Sequence, residues 1–394
     1  MKSLSISSLF AAVVLAVSGT AFALDYKADL SLSLFEQYND NIFLTHTAKT
    51  NDYLTEVNPE VSLSTKTEKS DVYLKYSPSF IYYRTQHEQD TTTQQATIRG
   101  LFKLTESLSA GFSDVFLKTK DLVAIRNLEV VGPLGTTQNT EVGPLVTTNN
   151  KITINTLNGN FDYRISEQLT LQPSLIYMTC DNSQPGFSDI TTYTGAMGAS
   201  YILSGMTTLK ARAEFDIYEY SISGNVYEEQ FTIGVHHKFT PTLSVDASGG
   251  IDRQEIQQLS RNDTFFVGNA TITKTFEKGS AYLSYINRVI PGLETVAPLR
   301  QQVISVGYDR PVTAALNTSI SAWYGHYKGV TNIGPDQKRV DIGANAKISY
   351  QLFRWANLFI SYSFVNSDDK DIHSGSYINN IVTAGLKLSK QANF

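Results

Sequence analysis

Cysteine is nearly absent from this sequence, because Cys180 is the only one among 394 residues. A single cysteine excludes an internal disulfide and a thiolate metal site. Long apolar runs are also missing, since no segment beyond the N-terminus reaches the roughly 20 apolar residues that a transmembrane helix needs. A disulfide-stapled scaffold and a helical membrane protein are therefore both excluded.

Catalytic and ligand-binding signatures are missing as well. The sequence contains no G-x-S-x-G, no phosphate-binding loop and no H-E-x-x-H. His236 and His237 are adjacent in a predicted strand, so they point to opposite faces and cannot share a metal ion from one side. The other histidines lie in predicted loops without ligand spacing: His46, His87, His326 and His373. We expect no enzyme, no metal and no cofactor.

Positive charge is also scarce. The formal net charge is −5, and it becomes −6 if Lys2 is removed with an N-terminal signal. A protein that binds nucleic acid needs a basic face. Nucleic acid is therefore not an expected partner.

What the sequence does contain is alternation of apolar and polar residues, in sixteen or more short stretches. In the clearest stretch, 209–217, one set of alternate residues is apolar: Leu209, Ala211, Ala213, Phe215 and Ile217. The intervening residues are charged: Lys210, Arg212, Glu214 and Asp216. A period of two places the sets on opposite faces of a strand. An apolar outside and a polar inside predict an all-β fold, a single antiparallel transmembrane β-barrel.

The N-terminus has the features of a secretory signal. Lys2 is followed by an apolar core from Leu9 to Val17 and by Ala21-Phe22-Ala23, an A-x-A cleavage site. We predict a signal peptide at 1–23 and one outer-membrane barrel domain at 24–394. Leu24 after the cleavage site argues against a lipoprotein. The expected location is the outer membrane of a Gram-negative bacterium.

Turn residues divide the chain into 18 predicted strands, with 16 or 20 as alternatives. Short connections are predicted at 66–70, 105–107, 166–168, 204–205, 240–242, 277–279, 309–311 and 352–354, with longer ones between them. The even count predicts that both termini are periplasmic. Alternation slips at 112–115 and 154–157, which predicts bulges there. We expect residues 390–393, beyond the last alternating strand, to extend into the periplasm before Phe394.

A barrel of this width leaves an aqueous lumen. We predict that the lumen is lined by Lys210, Arg212, Glu214, Asp216, Arg99, Lys103, Arg339, Asp341 and Trp323, with further inward positions at Lys75, Arg164, Lys238, Asp246, Asp252 and Lys347. Both signs of charge are interleaved. These charges either hydrate the wall and pair across neighbouring strands, or they select a solute. Inward aromatic residues such as Trp323 either pack against neighbouring side chains of the lumen or stack on sugar rings.

The longest connection, 121–149, contains Gly132-Pro133-Leu134 and again Gly143-Pro144-Leu145. Loops of this length without structure of their own are usually functional or disordered. The segment is either a gate at the mouth of the channel or a variable surface loop.

A short motif near the start resembles a known family. Tyr38-Asn39-Asp40-Asn41-Ile42-Phe43 ends the first predicted strand. It is similar to the opening of the β-barrel porins that are associated with exopolysaccharide export clusters. The resemblance implies an outer-membrane barrel that works with a periplasmic polysaccharide export protein. Physically, the Asn and Asp side chains can hydrogen-bond their own backbone and end the strand in a fixed turn.

These features lead to three functional hypotheses. The leading one is a channel for export of exopolysaccharide. The alternatives are a general or solute-specific diffusion porin and a structural sheath for an extracellular electron-transfer cytochrome. The expected partners are outer-membrane lipid and lipopolysaccharide, the barrel-assembly machinery and the periplasmic export protein.

Overall fold

The computed structural model describes residues 26–120, 129–131, 137–139, 151–183, 188–222, 224–257, 261–290, 298–329, 338–369 and 376–393. The predicted signal at 1–23 lies outside these ranges, as do Gly132, Pro133, Gly143 and Pro144 of the possible gating loop.

The described residues form twenty strands and one short 3-10 helix, His87–Gln89. The strands are β1 (Tyr26–Asn39), β2 (Asp52–Lys66), β3 (Ser70–Tyr83), β4 (Thr91–Lys103), β5 (Leu108–Thr119), β6 (Glu129–Val131), β7 (Thr137–Asn139), β8 (Ile152–Arg164), β9 (Leu169–Asn182), β10 (Ile190–Ser204), β11 (Thr207–Tyr220), β12 (Gly224–Thr240), β13 (Leu243–Ile256), β14 (Arg261–Thr275), β15 (Ser280–Ile290), β16 (Leu299–Pro311), β17 (Leu316–Gly329), β18 (Lys338–Phe353), β19 (Ala356–Asp369) and β20 (Tyr377–Asn393). Within the described ranges, no helix is both long and apolar enough to span a bilayer.

Eighteen of these strands form one closed antiparallel barrel. Each barrel strand pairs with its neighbours in sequence, and β1 pairs with both β2 and β20, which closes the sheet. The two shortest strands, β6 and β7, pair only with each other. The predictions of an all-β barrel and of 18 strands are confirmed.

Alternation along each strand separates the outer surface of the barrel from its lumen. In β11, Leu209 and Phe215 are 42% and 43% exposed, whereas Asp216 and Tyr218 are 4% and 5% exposed. Exposed aromatic residues lie near both ends of the barrel: Tyr82, Tyr177, Tyr201, Phe239, Phe276, Tyr308, Tyr324, Tyr350 and Tyr362. Such rings favour the boundary between membrane and water. The barrel therefore has an apolar belt. We call the end with the short connections, such as 205–206 and 276–279, the short-turn end, and the end with the longer connections, such as 40–51, the long-loop end.

Two of the predicted short turns are shifted along the chain. The turn expected at 309–311 lies instead at 312–315, because β16 continues through Pro311. There the Thr313 hydroxyl accepts hydrogen bonds from the backbone N–H groups of Ala315 and Leu316, at 3.2 and 3.0 Å. Proline can end a strand because its missing N–H is not needed there. The turn expected at 352–354 is also shifted, because β18 continues through Phe353.

The bulges expected at 112–115 and 154–157 are absent, because the register of β5 with both neighbours is continuous. The alternation slips there for a different reason. Asp114 and Asn155 lie on the outer face, and the Asn155 side-chain amide donates a 2.7 Å hydrogen bond to the Asp114 carboxylate. Two polar residues on the apolar face break the pattern without an extra residue. Register shifts occur instead beside short turns, at 202/204, 238/240 and 351/353.

The expectation that residues 390–393 extend away from the barrel is wrong. Strand β20 continues to Asn393, and Asn393 pairs with Lys27. The reason is that β1 begins at Tyr26 and offers backbone groups to the end of β20. An unpaired strand edge leaves such groups unsatisfied, so pairing prevails over the loss of alternation.

Candidate functional site

The lumen contains a cavity of about 1200 Å³. Hydroxyl and amide side chains supply much of its wall, including Asn158, Gln230, Thr232, Ser248, Asn269, Thr271, Ser284, Ser305, Ser319, Ser321, Asn345, Ser361, Ser363, Asn379 and Thr383. These residues occupy the inward positions of the strands. A cavity with this lining can hold a hydrated small solute.

Charged residues on the wall are largely neutralised by partners on the same face. The Arg212 guanidinium donates through Nε to Glu214 at 2.8 Å, and Arg339 Nε donates to Asp341 at 2.7 Å. Both pairs line the cavity. Residues two apart on a strand share a face, which explains the pairing. Arg339 also donates to the Tyr377 hydroxyl at 3.0 Å.

A second charge group is formed by inward residues of β2, β3 and β20. Glu60 accepts from Lys75, with Nζ–Oε2 at 2.8 Å, and its other oxygen lies 3.9 Å from Lys387 Nζ. One carboxylate therefore serves two ammonium groups. The local balance is positive, because two cations share one anion.

Three carboxylates on adjacent strands face inward but are shielded from solvent. Asp216, Glu228 and Asp252 are 4%, 2% and 0% exposed. Thr194 donates a hydrogen bond to Asp216. The Gln254 amide donates to Glu228 at 2.9 Å. Because these acids are buried, a solute in the lumen cannot contact them directly.

Two cations lie over aromatic rings in the lumen without an ionic partner among the described residues. Lys347 Nζ is 5.0 Å from the centroid of the Phe359 ring, and the Arg99 guanidinium is 4.7 Å from that of Tyr73. Phe359 in turn packs edge-on against Phe35 at 5.4 Å between centroids. A cation over a ring keeps its charge available to an anion while the ring holds its position. Lys347 is exposed and Arg99 is partly exposed, so both present positive charge to the lumen.

The Y-N-D-N-I-F motif folds the first long loop into the barrel. Asp40 accepts hydrogen bonds from the backbone N–H and the side-chain amide of Asn380, both at 2.6 Å. Asn41 is fully buried, and its amide donates to the carbonyl oxygens of Thr45 and Ile378 at 2.8 and 3.1 Å. The loop that follows is consequently held against β20.

This inward loop meets an apolar cluster near the long-loop end of the lumen. Leu44 belongs to the cluster, and Ile42, Phe43 and Leu44 also line the cavity. The other members are inward residues of the barrel strands: Val115, Leu117, Ile152, Ile154, Cys180, Ile190, Tyr218, Tyr220, Val226, Ile256, Val365 and Tyr377. The cluster fills part of the cross-section. The passage is therefore narrower than the width of an 18-stranded barrel suggests.

The remaining predicted residues lie at several levels of the wall. Lys210 forms an ion pair with Asp246, and His236 Nδ1 lies 3.3 Å from the same carboxylate. Lys103 is exposed next to a short turn. Trp323 lines the cavity beside Gly343.

Sequence reasoning missed Phe35, Phe359, Glu60, Lys387 and the inward direction of Leu44. The two phenylalanines occupy inward positions of their strands, so their alternation phase could have identified them. Nothing local in the sequence indicates that the first loop turns inward. Within the described residues, no group of three or more His, Cys, Asp or Glu side chains could hold a metal ion.

Comparison with known proteins gives matches of structure only. No family model matches the chain, and no curated protein does. The solved structures that resemble it include Pseudomonas aeruginosa OccK2 (OpdF), with a TM-score of 0.53, 10% identity and coverage of 92% of this chain and 98% of that one. Its complex with glucuronate has a TM-score of 0.52, 11% identity and coverage of 92% and 98%.

Two further solved porin structures resemble the chain over most of its length. Acinetobacter baumannii OccAB3 has a TM-score of 0.51, 11% identity and coverage of 93% of this chain and 99% of that one. Pseudomonas aeruginosa OpdK with vanillate has a TM-score of 0.50, 10% identity and coverage of 93% and 99%. The chain therefore has the fold of outer-membrane porins, and the apolar belt of its barrel agrees with the expected location in the outer membrane of a Gram-negative bacterium.

The leading functional hypothesis, export of exopolysaccharide, is wrong. The structures that share the fold are diffusion porins, including those solved with glucuronate and vanillate. The narrowing of the lumen by the apolar cluster and the first loop gives a physical reason, since a bulky hydrated polymer needs a wide passage. The comparisons agree better with the alternative of a general or solute-specific diffusion porin.

Proposed function

We propose that the protein is a diffusion channel that favours small anionic solutes. The observation that carries the proposal is the imbalance of accessible charge. Lys347 and Arg99 present cations to the lumen without ionic partners among the described residues, whereas Asp216, Glu228 and Asp252 are buried. A pore whose accessible wall charges have one sign favours solutes of the opposite sign.

The size and chemistry of the lumen support a small organic acid as the solute. The cavity of about 1200 Å³ offers hydroxyl and amide groups around the cations. Phe359 and Phe35 add an apolar surface beside Lys347. A carboxylate attached to a ring or a sugar would satisfy both features. Glucuronate and vanillate, which occupy OccK2 and OpdK, are both carboxylates.

Ion selectivity in planar bilayers tests this function. Under a KCl gradient, the reversal potential of the wild-type channel should show a preference for chloride. Lys347→Glu should shift the reversal potential toward potassium, because it reverses the charge at an accessible position. The matched control is Lys278→Glu, in the short turn after β14, which changes the net charge equally but lies outside the lumen.

Each outcome is decisive. A wild-type channel that prefers potassium contradicts the proposal, and so does a Lys347→Glu channel with wild-type selectivity. A shift of equal size in Lys278→Glu would show that net charge, and not the lumen, sets the selectivity.

A further inference from the structure

The barrel wall has one short ladder, between β14 and β15. Only eight residue pairs join these strands, from Gly268 with Asn287 to Thr275 with Ser280. Every other pair of neighbouring barrel strands has at least ten, and β14 pairs with β13 as far as Arg261. The strands therefore separate toward the long-loop end. We call residues 265–267 and 288–290, which would face each other there, the β14–β15 gap.

Side chains bridge this gap where backbone hydrogen bonds are missing. The Asn287 side-chain amide donates to the Phe266 carbonyl oxygen at 2.7 Å, in place of a backbone donor. Arg300 of β16 donates through Nε to the Asn287 side-chain oxygen at 3.2 Å, and its guanidinium lies 5.6 Å from the centroid of the Phe265 ring. A bridge of side chains can open by rotamer change, whereas a backbone ladder cannot.

The cavity reaches the gap from inside, and an apolar surface lies outside it. Val267, Gly268, Asn287 and Arg288 all line the cavity. On the outer face Phe266 is 61% exposed. In the described part of the chain, the side-chain bridge and the buried residues Val267, Val289 and Ile290 lie between the cavity and this outer surface.

We propose that the β14–β15 gap is a lateral portal through which amphipathic anions pass between the lumen and the outer leaflet. The guanidinium groups of Arg288 and Arg300 suit an acidic head group. Phe265, Phe266 and Val267 suit an apolar body. This route is separate from the end-to-end passage of polar anions described above.

A disulfide across the gap tests the portal. Phe266→Cys with Asn287→Cys places two thiols where the Asn287 side chain already reaches residue 266. The matched control is Leu283→Cys with Val306→Cys, an outward-facing pair on the complete ladder between β15 and β16. Uptake of radiolabelled decanoate and of glucuronate is measured in porin-deficient Gram-negative cells, before and after reduction.

Oxidation of the 266/287 pair should abolish the decanoate uptake that the channel confers, and reduction should restore it. Glucuronate uptake should not change, and the control pair should alter neither. The proposal is overturned if the cross-linked channel still admits decanoate, if both solutes are lost together, or if the wild-type channel confers no decanoate uptake. A wild-type channel that confers decanoate uptake but no glucuronate uptake would instead contradict the proposed function and leave the portal supported.

A single substitution gives an independent test. Asn287→Ala removes the bridge to Phe266, so the ratio of decanoate uptake to glucuronate uptake should rise above that of the wild-type channel. An unchanged ratio in a folded Asn287→Ala channel would contradict the portal.

Discussion

Adjacent residues of one strand lie in different environments in this barrel, one facing the aqueous lumen and the next facing the membrane. Arg212 lines the cavity, whereas Ala213 pairs on the outer face with Met197 and Phe231, which are 49% and 51% exposed. Ala213→Arg should destabilise the barrel by roughly 2–4 kcal/mol, because a cation near the bilayer midplane is costly. Arg212→Ala should assemble normally and change only permeation.

Heat-modifiable mobility on gels compares the two variants directly. The assignment of inner and outer faces would be contradicted if Arg212→Ala failed to assemble while Ala213→Arg assembled normally.

Gly343 makes room for a luminal tryptophan. A Cβ atom at this position would overlap the indole ring of Trp323, which faces it across the ladder. Gly343→Ala should therefore displace the ring into the lumen, at a cost of about 1–3 kcal/mol for overpacking. With Trp355→Phe leaving one tryptophan, its fluorescence should shift and the conductance should fall. Ala344→Gly, on the outer face, is the control, and an unchanged spectrum in Gly343→Ala would contradict this packing.

At the scale of the element, one buried side chain holds the first loop inside the barrel. Asn41 accepts from the Thr45 N–H at 3.0 Å and donates to Ile378 at 3.1 Å, which keeps Leu44 in the apolar cluster. Asn41→Ala leaves these backbone groups unpaired, which costs about 1–3 kcal/mol. The loop should then leave the lumen, and single-channel conductance should rise.

His46→Ala is the control, because His46 is exposed in the same loop. If Asn41→Ala kept the wild-type conductance, the loop would not be part of the constriction.

The strands can be predicted from the sequence because alternation is local, and most turns can be predicted from their Gly, Pro and Ser residues. The inward course of the first loop depends on contacts between Asn41 and Ile378, which are far apart in sequence. The incomplete β14–β15 ladder is equally invisible to local patterns, since pairing depends on the distance between two strands and not on the residues of one. Asp114 and Asn155 misled the prediction because a polar pair on the outer face looks like a change of phase.

At the scale of the whole molecule, closure of the barrel depends on one strand. Strand β20 pairs with β1 and with β19, so deleting 377–393 exposes two long edges at once. We expect this truncated chain to lose the compact, heat-resistant form on gels completely. Persistence of that form would show that β1 and β19 can close a smaller barrel by themselves.

The thirteen pairs between β1 and β20 place the two ends of the described chain side by side, with Lys27 opposite Asn393. A few linking residues would therefore join the ends without moving either strand. Cutting the chain at a short turn, such as the one between β14 and β15, would then give a circularly permuted sequence with the same ring of neighbours. The closed barrel wall therefore does not require the chain to begin at β1, because every strand of the wall has a paired neighbour on both sides.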